Sequence, residues 1–137
     1  MADNSIIKSF VQKILGCRCP EEVFRSIDDK HDVRLNERIL LSHSITIGDR
    51  LLIYVLDPEG PAQLGQCLGF IVSAGKKERD ARGLNRFRLA VISDDALEKE
   101  LLHRGFEELA DKDEKTHLHV IRKKEYGILE KTKNGRN

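Results

Sequence analysis

An α+β fold is what this sequence predicts: one mixed β-sheet of four or five strands with amphipathic helices packed on it. Three observations lead there. Leu51-Leu52-Ile53-Tyr54-Val55-Leu56 is a dense, partly β-branched apolar run, the make-up of a central strand. Before it, Arg38 to Ile47 alternates in part, and Gly48-Asp49 between the two runs suits a tight hairpin turn with glycine first. After it, helical periodicity from Ala62 to about Ala74 leads to another alternating stretch, Phe87 to Ile92. A strand–helix–strand unit of this kind calls for a crossover with parallel strands, whereas the hairpin is antiparallel, so the sheet is mixed.

The order of elements is helix, short helix, strand, strand, helix, strand, helix, strand and one further strand, ααββαβαβ(β). Asn4 or Ser5 caps the first helix, where Ile6, Ile7, Phe10, Val11, Ile14 and Leu15 recur on one face. Gly16 is placed to end it, and Pro20 opens a short second helix with Val23, Phe24 and Ile27, closed by the polar segment Asp28 to Asp32. Asp57-Pro58-Glu59-Gly60-Pro61 punctuates the chain before the third helix. There Leu64, Cys67, Leu68, Ile71 and Val72 share a face, which makes Cys67 a core residue. Gly65 and Gly69 allow that helix a close neighbour. Lys76 to Gly83 reads as a charged connection. Ser93-Asp94-Asp95 caps the next helix, with Glu98 at the capping-box position and Leu97, Leu101 and Leu102 as its buried face, ending at Gly105. Phe106 to Leu109 and Thr116 to Ile121 read as the last strands. The reading is one domain over 1–125, with a polar, disordered tail over 126–137.

Length and composition exclude several functions. A chain of 137 residues is long enough to bury a real core. Charged residues make up 34%, but the formal net charge is +1, so no global field draws nucleic acid or an anionic membrane. Aromatic residues are 5% and tryptophan is absent, which leaves little for base stacking. No apolar run reaches bilayer-spanning length, and the start Met1-Ala2-Asp3-Asn4 has no secretory pattern. Three cysteines are too few for a disulfide scaffold, and they point to a reducing, cytoplasmic setting. The partner class that remains is another protein.

The leading candidate site is Cys17 and Cys19, one residue apart at the junction of the first two helices. Thiolates are the preferred ligands of soft metals and iron–sulfur clusters, and a thiol pair also serves redox chemistry. A tetrahedral site needs four donors, so this pair needs further ligands. Cys19 as an N-cap gains from the helix N-terminus and Arg18 but faces Glu21 and Glu22. Cys19 and Arg25 have the C-x5-R spacing of a phosphate-binding cysteine loop, but the two acids between them oppose an anion. A second candidate is anion-binding: Lys76, Lys77, Arg79, Arg82, Arg86 and Arg88, a basic stretch diluted by Glu78 and Asp80. His117 and His119 alternate on a strand and face the same way, a two-donor metal edge without a third ligand. His31, His43 and His103 read as isolated surface residues. No phosphate loop, dinucleotide fingerprint, nucleophile elbow or zinc-protease motif is present. The functional expectation is therefore a small accessory protein using Cys17 and Cys19 for thiol redox or soft-metal binding. Its alternatives are a non-catalytic interaction module, docking through the first helix or a sheet edge, and a phosphate or nucleic-acid binder using 76–88. The cofactor is not specified by any motif.

Overall fold

The computed structural model describes residues 4–16, 21–37, 39–57, 61–109 and 113–133. Five strands form one sheet in the order β1-β2-β3-β4-β5: β1 (Ile27–Arg34), β2 (Leu40–Ile47), β3 (Leu51–Leu56), β4 (Arg86–Ile92) and β5 (Thr116–Ile121). The pairs β1–β2 and β2–β3 are antiparallel, and β3–β4 and β4–β5 are parallel. The helices are α1 (Asn4–Ser9), α2 (Pro61–Ala81), α3 (Ala96–Glu107) and α4 (Lys123–Lys133). The mixed α+β sheet expected from the sequence is thus the observed one.

All six residues of β3 are buried, and alternation sends them to two separate cores. Leu51, Ile53 and Val55 join the first core with Ile7, Phe10, Val11 and Leu15 of the N-terminal segment and Tyr126 and Leu129 of α4. Leu52, Tyr54 and Leu56 join the second with Leu68, Ile71 and Val72 of α2 and Leu102 and Phe106 of α3. Helices therefore cover both faces rather than one. In the N-terminal segment α1 runs directly into a π-helical turn, Phe10–Ile14, closed by the Leu15 N–H donating to the Phe10 carbonyl at 3.2 Å. The wider turn keeps Leu15 above Phe10, on the apolar stripe. Gly16 then takes φ +69°, the helix-ending conformation its position predicts.

Several segments differ from the sequence reading. The second helix is one 3-10 turn, Glu21–Arg25, and the segment Asp28 to Asp32 is not its polar end but part of β1. Charges on the outward positions Asp28, Lys30 and Arg34 are what an unpaired edge strand carries. At Asp32, φ is +52°, a left-handed conformation that aspartate tolerates. The register continues across it, but Val33 and Leu35 beyond it pack into the second core.

Lys76 to Ala81 extends α2 instead of leaving it. The helix stops in a Schellman arrangement: Leu84 N–H donates to the Arg79 carbonyl at 2.8 Å and Gly83 N–H to the Asp80 carbonyl at 3.2 Å, with Gly83 at φ +69° and Leu84 buried. The closest approach among the described glycine surroundings is at Gly75, where an added Cβ would enter the Phe87 ring; at Gly69 it would only touch Leu109, and the surroundings of Gly65 lie outside the described residues.

Asp95 caps α3, accepting from Leu97 N–H at 2.9 Å and Glu98 N–H at 3.3 Å. The helix continues past Gly105 to Glu107, so Phe106 is helical rather than the start of a strand. Leu102 and Phe106, one turn apart, are buried, and Leu97 and Leu101 face solvent. The tail expected to be disordered is helical through Lys133, because Tyr126 and Leu129 close the first core. Among the described residues no helix is long and apolar enough to cross a membrane.

Two tests address this packing. Gly75→Ala forces the buried Phe87 ring out of its edge-to-face contact with Tyr54 and is expected to cost about 1–3 kcal/mol in urea unfolding. Arg79, at the end of α2, donates to both Asp113 oxygens at 3.1 and 2.8 Å and to Thr116 Oγ1 at 3.2 Å, tying the helix to the start of β5. The arginine holds the Asp113 carboxyl well below the usual carboxylate range. That contribution is fully present above the unfolded carboxyl pKa, near 4, and is lost as pH falls toward the folded value. Because Asp113 is 38% exposed, Asp113→Asn should cost only about 1–2 kcal/mol at pH 7. The gap to wild type should shrink progressively below about pH 4.

Candidate functional site

The alternation of β1 turns Ile27, Asp29 and His31 to the first-core face, and pairing sets His31 directly opposite His43 of β2. His43 lies on the same side as Ile45 and Ile47. This brings one carboxylate and two imidazoles together under the end of α4. The Asp29 side chain is 1% exposed, His43 is 0% and His31 is 26%. His31 Nε2 donates to Asp29 Oδ2 at 2.8 Å, and His43 Nδ1 donates to Asp29 Oδ1 at 2.9 Å. Burial alone would raise the Asp29 carboxyl, but the hydrogen bonds and charge of His43 and His31 hold it below its ordinary value. The two imidazole rings meet edge to face with centroids 4.7 Å apart, and the Tyr126 ring closes on His43 at 6.0 Å. His43 Nε2 is buried without a hydrogen-bond partner among the described residues.

Donor atoms from these three residues all lie within 4.8 Å of one another, and among the described residues this is the one group of three or more such side chains placed to share an ion. Sequence reading put His31 and His43 on the surface. The signal that finds them is alternation: Ile27, Asp29 and His31 on one strand and His43, Ile45, Ile47 on the next.

Cys17 and Cys19 lie outside the described residues. Cys67 is a free, partly buried thiol packed against the second core, as its helical position predicts. The first helix, a candidate docking surface, places Ile7, Phe10 and Val11 at 0% exposure against its own sheet. The six basic residues of 76–88 do not form one patch. Lys76, Lys77 and Arg79 belong to the end of α2 and Arg82 follows directly after it; there Arg79 engages Asp80 and Asp113, and Arg82 engages Glu78 at 2.6 Å. Arg86 and Arg88 project from β4 to the opposite face, beside β5, where Arg88 is in register with His117 and Ala90 with His119.

On that face Arg86 Nη1 donates to His117 Nε2 at 3.1 Å and Arg88 Nη1 to His119 Nε2 at 2.8 Å. The two histidines do face the same way, as the alternation predicts, but they serve as acceptors for arginine. Burial, reinforced by Arg88, lowers both imidazoles, His119 to about 4. Comparison with protein families, curated proteins and solved structures yields no match for this chain.

His119 gives a direct test in chloride buffer. Its imidazole NMR signals should titrate near pH 4 rather than 6.5. A depressed folded value means that stability is fully present above the unfolded pKa and is lost as pH falls from about 6.5 toward about 4. His119→Gln keeps an acceptor for Arg88, so its thermal midpoint should change less across that window than the wild-type midpoint.

Proposed function

We propose that this protein is a small metal-binding domain that holds a divalent transition ion through Asp29, His31 and His43. One observation carries the proposal: a nearly fully buried carboxylate whose partners, among the described residues, are two imidazole nitrogens rather than an arginine or lysine. Two nitrogens and one oxygen suit a borderline cation such as zinc or iron(II). Metal–ligand bonds near 2.0–2.1 Å at tetrahedral angles put neighbouring donors about 3.3 Å apart. The two imidazole nitrogens lie 2.8 and 2.9 Å from different oxygens of Asp29, and one donor from each residue lies within 4.8 Å of the others, so side-chain rotation has to bring the three to that spacing.

Three protein donors leave coordination positions for water or a small ligand, and His31, the exposed member, marks their side of approach. The ring nitrogen His43 Nε2 has no second acceptor, and such outer contacts are worth roughly 10–100-fold in affinity. The expected affinity is therefore below that of a closed structural zinc site. A reducing compartment, proposed from the cysteine count, is supported by the unbridged Cys67.

The test compares wild type, His31→Ala and Cys17→Ser/Cys19→Ser by zinc and cobalt(II) titration, with visible spectra of the cobalt form. Wild type and the double serine variant should bind one ion without thiolate-to-cobalt absorption. His31→Ala, at the most exposed of the three positions, should fold and lose at least about 10-fold in affinity. Metal retained in His31→Ala but lost in the serine variant would remove this proposal and transfer the function to the cysteine pair.

A further inference from the structure

Arg86 and Arg88 sit two residues apart on β4, with His117 and His119 beside them on β5, all on one face and next to the end of the N-terminal helical segment. Among the described residues no carboxylate pairs with either arginine. Three other arginines are neutralised: Arg79 by Asp113 and Asp80, Arg82 by Glu78, Arg104 by Glu100. Asp113, the acid felt by His117, is already engaged by Arg79.

Arg88 is half-buried, and both of its bonds leave from a single nitrogen. Nη1 donates to the Leu15 carbonyl at 3.0 Å and to His119 Nε2 at 2.8 Å. These neutral acceptors orient the guanidinium without cancelling its charge. Its Nε–H is buried with no acceptor, and among the described residues most of its five donors are unused. Burial and the charge of Arg86 both disfavour the cation. A half-buried charge without a counter-charge is costly, and an anion at its open edge removes that cost.

We infer that Arg86 and Arg88 form a binding site for a phosphate group, with His117 and His119 as the neutral acceptors that hold the two guanidinium planes. Side chains two residues apart on one strand face are about 6.5–7 Å apart at their bases, a span that two long arginines close around one tetrahedral anion. Phosphate presents enough oxygens and charge to engage both planar forks, where a carboxylate has two oxygens and one charge. Arg86, the exposed partner, is the first contact, and Arg88 is the pre-oriented one.

Calorimetric titration of the full chain with inorganic phosphate, against chloride at matched ionic strength, tests the site. Phenyl phosphate serves as the esterified probe. Saturable phosphate binding is expected. It should weaken at least about 10-fold in Arg86→Gln, a surface replacement that leaves the fold intact, and also in Arg88→Lys, which keeps the charge but not the fork. Tighter phenyl phosphate would identify an ester as the ligand, and tighter inorganic phosphate the free anion. His31→Ala should bind phosphate as wild type does, which separates this site from the metal group. Equal responses to phosphate and chloride, unchanged affinity in both arginine variants, or loss of binding in His31→Ala would each overturn the inference.

Discussion

Burying both faces of β3 is the constraint on which the rest of the structure depends. Six consecutive apolar side chains on a strand cannot be satisfied by one layer, because alternation sends three to each side. The α2 and α3 crossover helices cover one side. The other side must be covered from the chain ends, and that is why the N-terminal helical segment and α4 are drawn onto the same core. A segment as polar as 123–133 becomes helical there because two residues, Tyr126 and Leu129, have an apolar surface waiting for them.

That second side is only partly apolar, and its polar groups fall on the same cross-strand rows. Asp29 pairs with Ile45, Ile45 with Ile53, Ile53 with Arg88, and Arg88 with His117. The next row runs from His31 through His43, Val55 and Ala90 to His119. An acidic, imidazole-rich group on one flank and a basic one on the other are thus held roughly 14 Å apart, three strand spacings, with aliphatic side chains between them. This apolar strip keeps Asp29 from neutralising Arg88. Among the described residues neither group supplies a counter-charge to the other.

Where hydrophobic pattern and burial coincide, the sequence is legible. The strands β2 to β5, the hairpin at Gly48, the start of α2 and the Asp95 cap all follow from periodicity or from one residue's conformational preference. The edge strand β1 is hidden because its outward positions are charged and its inward positions include Asp29 and His31, which read as polar until a partner for them is known. In α3 the sequence offers apolar residues at 97, 101, 102 and 106, and only the sheet decides that Leu102 and Phe106 are the pair that packs. The candidate metal group was invisible for a related reason. His43 is a polar residue inside an otherwise apolar strand face, and its partner Asp29 lies 14 residues away on a strand that the pattern does not reveal. Basic residues clustered in sequence misled in the opposite direction, since a helix end and a strand send them to different faces.

The bond from Arg88 to the Leu15 carbonyl joins positions 73 residues apart. Almost every other tie in this sheet links neighbours in chain order, so strands can assemble by short steps. Among the side-chain hydrogen bonds of the described residues it spans the most chain, and it is met only when the N-terminal segment docks. The orientation of the arginine is therefore a property of the completed chain. A fragment beginning at β1 keeps every strand residue of the basic face and still lacks the carbonyl that aims it, so a fragment that retains the oriented arginine has to begin before the first strand.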